Sequence, residues 1–189
     1  MRAFKTEAIV IKRRNFWDSD RIVTVLTKDY GKIHVRAAGV RKITSRRSPH
    51  IELLNYSMLS LYKGNSFPIL TEAQTINDFS AIKTDLTKVG HAYHVCELID
   101  SLCAQDQEQR QVFFLLKNTL TRLGIQDLVS LQMKENGLSI IHEFELELLS
   151  LLGYWNRATE FSQLFDADQF IEGIIERKLK SKNIFAKLT

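Results

Sequence analysis

The sequence predicts an α+β protein in which a β-rich domain precedes a helical one. Between Phe4 and Ile76, five short stretches are rich in alternating or β-branched apolar residues and are separated by turn residues. From about Ala81 onward, apolar residues recur every three to four positions, which is the period of helices packed on a core. The 189 residues, 44% of them apolar, suffice for two small domains. We predict these domains at residues 1–78 and 79–189.

The β-rich part contains five predicted strands. They are placed at Phe4–Lys12, Arg21–Lys28, 32–37, Ile51–Tyr62 and Phe67–Ile76. The turn at Asp29-Tyr30-Gly31 joins the second and third strands in a hairpin, because glycine accepts the positive φ of a tight turn. A second hairpin turn is predicted at 63–66. A five-stranded unit of this length is typical of a small Greek-key barrel of the OB type, a fold that commonly presents one face to oligonucleotides.

Four apolar stripes of helical spacing follow the strands, and a further short helix is predicted over Ile125–Glu135. The stripes run over residues 89–103, 112–123, 141–152 and 170–179. Gly124 and Gly153 are predicted C-caps of the second and third helices. Asp166 or Asp168 is predicted to cap the fourth. These stripes form the core of a helical domain rather than a cofactor site.

Positive charge is concentrated in the β-rich part of the chain. The net charge is +4, but residues 1–80 hold fourteen Lys and Arg against seven Asp and Glu, a net +7. The remaining residues carry a net −3. This asymmetry favours a polyanionic partner for the predicted barrel. An ordinary solvated basic face is the alternative interpretation.

Three features of the predicted barrel carry this charge or lie beside it. On the third strand, Lys32, His34 and Arg36 are predicted to project from a single face. The loop 39–49 contains four cations and little apolar surface, so we expect it to be mobile alone and to order on phosphates. A flexible loop without a ligand is the alternative. Phe16-Trp17 follows three cations, and this pair either stacks on bases or plugs the barrel end.

Signals of catalysis, metal binding and membrane insertion are missing from the sequence. Gly39 and Gly64 are isolated, so no glycine-rich phosphate loop can form. His91, His94 and Cys96 are not followed by a second ligand pair, so we expect no metal site. Neither an activated nucleophile nor a membrane-spanning run is apparent, and the start lacks the pattern of a signal peptide. We therefore expect a cytoplasmic protein that is not an enzyme and needs no cofactor.

Several segments resemble one known family. These are TEAIVIKRRNFWDSDRIVTVLTKDYGKIHVRAAGVRK, LSLYKGNSFPILTEAQTINDF, KTDLTKVGHAYHVCELIDSL, FELELLSLLGY and FIEGIIERKLKS. In this order they resemble the bacterial recombination mediator family RecO over almost the whole chain. The resemblance implies an N-terminal OB-fold, a helical C-terminal domain, binding of single- and double-stranded DNA, and annealing of complementary strands. It also implies action near the nucleoid in DNA repair and recombination.

The resemblance further implies protein partners and one difference from many family members. One implied partner is RecR. The other, which the sequence fixes less firmly, is the acidic tail of single-stranded DNA-binding protein. The family exchanges that protein for recombinase at gaps. Many members carry a four-cysteine zinc module after the segment matching LLGY. Here Tyr154 is followed by WNRATEFSQLFDADQF, which contains no cysteine. We therefore expect this chain to lack that zinc module.

The resemblance and the charge pattern together assign site residues. DNA contacts are predicted at Arg13, Arg14, Arg21, Arg36, Arg41, Lys42, Arg46 and Arg47. Base stacking is predicted at Phe16, Trp17 or Tyr62. A cation-rimmed pocket for an acidic and apolar protein tail is placed at Arg110, Lys117 and Arg122, beside the second apolar helix.

Two other functions fit the residues. The barrel of a pure adaptor would bind a partner protein, and its basic loop would only keep it soluble. An OB-fold protein that binds RNA is equally compatible, because nothing in the sequence distinguishes a 2′-hydroxyl from hydrogen.

Overall fold

The computed structural model describes residues 3–64, 66–125, 139–155 and 166–181. The chain divides into two compact units. The first combines residues up to Phe79 with the segment Ala104–Phe113, and the second combines Ser80–Cys103 with the residues from Phe114 onward. The first unit is β-rich and the second is helical, so the predicted α+β fold class is confirmed.

The first unit is a closed five-stranded barrel. Its strands are β1 Ala3–Phe16, β2 Asp20–Thr27, β3 Gly31–Ala37, β4 Tyr56–Tyr62 and β5 Ile69–Asn77. Their order is β1-β2-β3-β5-β4, and β1 closes the barrel by pairing with both β2 and β4. All pairs are antiparallel except β3 with β5, which meet in parallel at Arg36 and Ile69. Both predicted hairpins are present.

Alternate residues of the strands fill the barrel. Each strand contributes apolar side chains at a spacing of two, as the pleat requires. The core comprises Ala8, Val10, Val23, Val25, Ile33, Val35, Ala37, Val40, Ile51, Leu59, Leu61 and Leu70. The register of β1 shifts between Val10 and Lys12. Such a bulge bends a strand, and here it allows one long strand to pair with β4 through its first half and with β2 through its second half.

Two strand boundaries differ from the prediction by more than two residues. β1 continues to Phe16 rather than ending at Lys12, because the polar residues after Lys12 pair with β2. β4 begins at Tyr56 rather than Ile51. The residues before it form a 3-10 turn over Ser48–Ile51 and then an irregular segment, in which the backbone N–H of Leu54 donates to Val10 and the carbonyl of Asn55 accepts from Val10. These two backbone hydrogen bonds are made at Val10, where the register of β1 shifts.

One short segment from beyond the barrel pairs with β3. The backbone N–H of Asp106 donates to the carbonyl of Lys32 at 2.9 Å, next to a bridge between Lys32 and Gln105. Arg110 forms an ion pair with Asp29 at 2.7 Å. β3 meets β5 at a single residue pair, so this segment covers backbone groups that β5 leaves open.

The described helices are α1 Ser80–Lys83, α2 Leu86–Leu102, α3 Arg110–Ile125, α4 Ile140–Leu151 and α5 Ala167–Ile175. The side chain of Asp166 accepts from the N–H of Gln169 and caps α5, which agrees with one of the two predicted caps. Gly153 follows α4 in the left-handed region, at φ +79, as its predicted C-cap role requires. Gly124 lies within α3, so its predicted role as a C-cap is wrong.

The apolar stripes face the core of the helical unit. Fully buried members include Leu98, Ile99, Leu116, Phe144 and Leu148. The helix predicted over Ile125–Glu135 falls almost entirely outside the described residues. No helix in the described ranges combines the length and apolar character that crossing a membrane requires.

Candidate nucleic-acid interface

A cleft of about 670 Å³ opens on the barrel beside the β1–β2 turn and the β4–β5 turn. Its walls are Phe16, Trp17, Arg36, Tyr62, Lys63, Gly64, Ser66, Phe67 and Ile69. All three predicted stacking residues are therefore found in one cleft. In OB barrels, the loops after the first and fourth strands and the face of the second and third strands are the surfaces that bind oligonucleotides.

The aromatic wall of the cleft is built around Trp17. The rings of Phe16 and Trp17 are stacked, with centroids 5.0 Å apart and planes 16° apart. The Arg36 guanidinium carbon lies 4.7 Å from the Trp17 ring centroid and 5.8 Å from that of Phe16. This is the geometry of a cation–π contact. The Trp17 side chain nevertheless remains 70% exposed, so most of the indole is accessible to a ligand.

The backbone at Trp17 adopts an uncommon conformation. Trp17 is at φ +48, in the left-handed region that bulky residues seldom occupy. Such a conformation costs on the order of 1–2 kcal/mol relative to the right-handed region. The β1–β2 turn places a large aromatic residue at this position, where its side chain meets solvent. Exposure and strain at one residue are both typical of binding sites.

Asp20 holds the cation of the cleft in place. Its Oδ2 accepts from Arg36 Nε at 2.9 Å and lies 2.8 Å from Arg36 Nη2. Its Oδ1 accepts from the backbone N–H of Gly39 at 2.7 Å. The Gly39 N–H and the Arg36 guanidinium together lower the pKa of the Asp20 carboxyl, which is only 7% exposed. This single carboxylate fixes both Arg36 and the start of the basic loop.

Arg13 and Arg21, both predicted DNA contacts, pair with an acidic neighbour. Arg13 Nη1 lies 2.5 Å from Glu52 Oε1, and Arg21 Nη1 lies 3.6 Å from the same oxygen. Arg21 Nε also donates to Asn15 Oδ1 at 3.4 Å. Glu52 therefore offsets part of this positive charge, and these two arginines have less of it to offer a phosphate than an unpaired arginine has.

Arg47 ties the basic loop to the barrel. Its Nη1 donates to the carbonyl of Leu70 at 2.6 Å, and its Nη2 donates to the carbonyl of Ala38 at 2.8 Å. Arg41 makes a second connection, because its backbone N–H donates to Ser19 at 2.9 Å and its Nη1 donates to the Trp17 carbonyl at 3.2 Å. The loop therefore runs beside the turn that carries Trp17.

The remaining predicted cations are open to solvent. Arg14, Arg41, Lys42 and Arg46 are all exposed. Arg14 lies opposite Ile22, which lies opposite Arg36 on the next strand. Directly opposed residues share a face of the sheet, so Arg14 projects beside Arg36 at about 10 Å, two strand spacings away. We call Arg14, Arg41, Lys42 and Arg46 the open cations.

The charged face predicted for β3 is only partly present. Lys32 is 8% exposed, because the segment that pairs with β3 passes over its end of the strand. His34 Nδ1 lies 3.0 Å from Thr24 Oγ1, and its ring meets Phe67 edge-on. Arg36 is the member of this face that lines the cleft.

Sequence reasoning missed four contributors to this surface. Asp20 fixes Arg36, Glu52 offsets part of the charge of Arg13 and Arg21, and Phe67 and Lys63 line the cleft. For Asp20 a signal was present, because it is an acidic residue immediately before the predicted second strand, between two basic stretches. For the other three, only the folded barrel brings them to their partners.

The three residues of the predicted tail pocket all lie on α3. Arg110 belongs to the first unit and pairs with Asp29 at 2.7 Å. Arg122 belongs to the second unit and pairs with Glu143 at 2.9 Å. Lys117 is half-buried on the same helix as Arg122.

Two family models match the chain in sequence order. The model for the N-terminal part of recombination protein O matches residues 1–79, and the model for its C-terminal part matches residues 83–157. The first match coincides with the barrel strands. The second begins in α1 and extends to the end of α4 and a few residues beyond.

Several curated proteins named DNA repair protein RecO are similar to this chain. That of Roseiflexus sp. (strain RS-1) is 37% identical over 153 residues, which is 81% of this chain and 51% of the relative. That of Symbiobacterium thermophilum is 31% identical over 82% of this chain and 58% of the relative. That of Heliobacterium modesticaldum is 32% identical over 91% and 58%. The chain thus spans somewhat more than half the length of these relatives.

Proposed function

This chain belongs to the RecO family of DNA repair proteins, and from that membership we propose that it binds DNA through the barrel cleft and anneals complementary strands. The observation that carries the proposal is the convergence of Trp17, Phe16 and Tyr62 with Arg36 in one cleft. The cleft lies at the loops that OB barrels use for oligonucleotides.

Bases of single-stranded DNA would stack on the exposed Trp17 ring and on Tyr62. Stacking of one base on an aromatic side chain contributes about 1–3 kcal/mol and tolerates any sequence, since every base has a π face. Arg36 adds a guanidinium group that Asp20 and the two rings already hold in position, and Asp20 offsets part of its charge. Binding therefore needs little reorganisation of this cation.

The open cations would supply the sequence-independent part of the affinity. Each phosphate they neutralise releases condensed counterions, so binding weakens as salt rises. Screening two strands on one basic surface also lowers their mutual repulsion. Base edges that are not buried in the cleft stay free to pair, which explains how a protein without a catalytic group speeds annealing.

The wider role proposed for the chain follows from the family. In the cytoplasm, near the nucleoid, it would act with RecR at single-stranded gaps and exchange single-stranded DNA-binding protein for recombinase. Arg110, Lys117 and Arg122 stay predicted contacts for the acidic tail of that protein. This role requires no cofactor and no catalysis by the chain itself.

The test compares two exposed aromatic residues of the barrel. Trp17→Ala should weaken binding of a fluorescent single-stranded oligonucleotide about 10- to 100-fold, because one or two stacked bases lose their platform. Tyr30→Ala is the control, since Tyr30 is 42% exposed but lies outside the cleft. Fluorescence anisotropy at two salt concentrations gives both affinities and their salt dependence.

The same titration separates the alternatives. Equal affinities for the two variants would place the DNA site elsewhere. Tighter binding of an RNA oligonucleotide of the same sequence would favour the RNA-binding function. Failure of the wild-type protein to bind either nucleic acid at low salt would favour the adaptor.

A further inference from the structure

A second group of polar side chains lies buried in the helical unit, within the described residues. His94 of α2 and Glu145 of α4 are 3% and 5% exposed, and Ser181 beyond α5 is 2% exposed. Asp168 of α5 adds a carboxylate whose Oδ1 lies 3.6 Å from His94 Nε2. Three helices far apart in sequence thus bring an imidazole and two carboxylates together.

The spacing of the three groups suits a coordinated metal ion. His94 Nε2 lies 2.9 Å from Glu145 Oε1 and 3.6 Å from Asp168 Oδ1. All three atoms lie within 4.8 Å of one another. Zinc bonds to nitrogen and oxygen are about 2.0–2.1 Å long, so the ligands of a tetrahedral site are separated by about 3.3 Å. The two distances from His94 bracket this separation.

Two further side chains hold the ligands in position. His94 Nδ1 lies 2.8 Å from the hydroxyl oxygen of Ser181, which leaves Nε2 directed at the carboxylates. His142 Nδ1 lies 3.3 Å from Glu145 Oε2, the carboxylate oxygen that faces away from His94. Partners of this kind fix the ring and the carboxylate in most protein metal sites.

Charge balance favours the same conclusion. The Glu145 side chain is 7% exposed and that of Asp168 is 29% exposed, and removing a carboxylate from water costs free energy unless opposite charge lies beside it. A divalent cation bound by a neutral imidazole and two carboxylates leaves the centre without net charge. Imidazole nitrogen combined with carboxylate oxygen is a donor set that zinc accepts, whereas magnesium and calcium prefer oxygen alone.

We propose that His94, Glu145 and Asp168 bind a divalent transition-metal ion, with zinc as the best-fitting ion and water completing its coordination. The ion would join α2, α4 and α5 and stabilise the helical unit. The sequence predicted no metal site, since no second ligand pair follows His91, His94 and Cys96, and the two carboxylates proposed here come from helices distant from His94 in sequence. The proposed site uses no cysteine, so it differs from a four-cysteine module, and it is independent of the DNA cleft.

The experiment uses the full chain without an affinity tag after treatment with a chelator. Calorimetric titration with Zn²⁺ should give one ion per chain, and Co²⁺ should give the visible absorption of a low-symmetry site. Asp168→Asn and Glu145→Gln should each weaken Zn²⁺ binding at least 10-fold, because each removes an anionic ligand. The Asp168 side chain is 29% exposed, so its variant is the milder one for folding.

Glu147→Gln is the matched control, since it removes the same charge from the same helix and Glu147 lies outside the metal-ligand group. It should bind Zn²⁺ as the wild type does, and Zn²⁺ should raise the melting temperature of both but not that of Asp168→Asn. Equal Zn²⁺ affinity in all four proteins would show adventitious binding to other histidines and overturn the proposal. Absence of binding to the wild type would identify the cluster as an ion-pair network alone.

Discussion

The Asp20 carboxylate joins two parts of the cleft that are distant in sequence. It accepts from the Gly39 N–H and from Arg36, and it is almost fully buried. Hydrogen bonds between charged groups contribute about 1.5–3 kcal/mol each, more than neutral ones. We therefore expect Asp20, the first residue of β2, to contribute to the stability of the first unit.

Asp20→Asn should lower the free energy of unfolding by about 1–3 kcal/mol at neutral pH, because the amide cannot form the same charged bonds to Arg36. Because folding lowers the pKa of Asp20, the stability difference between the two proteins depends on pH. The Asp20 carboxylate stabilises the folded protein at pH values above its unfolded pKa, near 3.8. This stabilisation is lost as the pH falls through the lower pKa of the folded protein. Urea unfolding of both proteins should therefore show the difference shrinking at acid pH, and a difference that grows there would contradict this assignment.

Some residues of the cleft could be predicted from the sequence, and others only the folded barrel brings together. Trp17, Phe16 and the cations around them were predictable, because aromatic and basic residues next to strand ends are unusual in a chain whose net charge is only +4. The pairing of Arg13 with Glu52 was not predictable, because 39 positions separate two side chains that only the barrel brings together. Phe67 enters the cleft for the same reason, through closure of the barrel, whereas Tyr62 was a predicted stacking residue.

The basic loop combines an anchor with a contact surface. Arg47 donates to two backbone carbonyls, whereas its neighbour Arg46 is exposed and makes no ion pair in the described part of the chain. The resemblance assigned the same DNA-binding role to both residues. The structure instead indicates that one holds the loop while the other is available to a phosphate.

Arg46→Ala and Arg47→Ala should therefore differ. Arg46→Ala should leave the melting temperature unchanged and reduce the salt slope of single-stranded DNA binding by about 0.7, which is the share of one phosphate contact. Arg47→Ala should lower the unfolding free energy by about 1–3 kcal/mol, because two part-buried backbone carbonyls lose a charged donor. Thermal unfolding and anisotropy titrations separate the two, and a large loss of stability in Arg46→Ala would argue against this division.

Two glycines with nearly equal backbone angles provide a test of how the edge of β3 is covered. Gly31 and Gly39 lie at φ +65 and φ +64. Alanine at either position costs about 1–2 kcal/mol for the left-handed backbone. A Cβ on Gly31 would also overlap the carbonyl oxygen of Gln107, whereas one on Gly39 would meet only the Lys42 side chain at 3.9 Å.

Gly31→Ala should be more destabilising than Gly39→Ala by about 1–3 kcal/mol, the usual cost of overpacking a site that cannot relax freely. Chemical denaturation of both variants gives this difference. Equal losses would mean that the segment 104–107 does not lie against β3 as described. The comparison therefore tests how the open edge of the barrel is covered.

The strands themselves show where the sequence predicts structure and where it does not. β2 and β3 were predictable from β-branched residues and from the glycine between them. The extension of β1 to Phe16 was not, because residues 13–16 are mostly polar and become a strand only by pairing with β2. The late start of β4 has the opposite cause, since three of the four residues 51–54 are apolar but the backbone turns through a 3-10 segment to bond with the β1 bulge.

The distribution of charge supports one surface for DNA in the first unit. Residues 1–80 carry the positive excess, and part of it is internally paired by Asp20 and Glu52. The open cations are the predicted DNA contacts that are exposed to solvent. Four phosphate contacts correspond to a slope of log affinity against log salt near −3 on single-stranded DNA, so an appreciable but moderate salt dependence is expected.

The central claim, that unpaired bases stack on Trp17, is tested most directly by the fluorescence of that indole. The chain contains two tryptophans, so Trp155→Phe leaves Trp17 as the only indole reporter. Titration with a single-stranded oligonucleotide should quench its emission to saturation, with the same dissociation constant that anisotropy gives for the same protein. Anisotropy that reports binding while the Trp17 emission stays constant would contradict the claim.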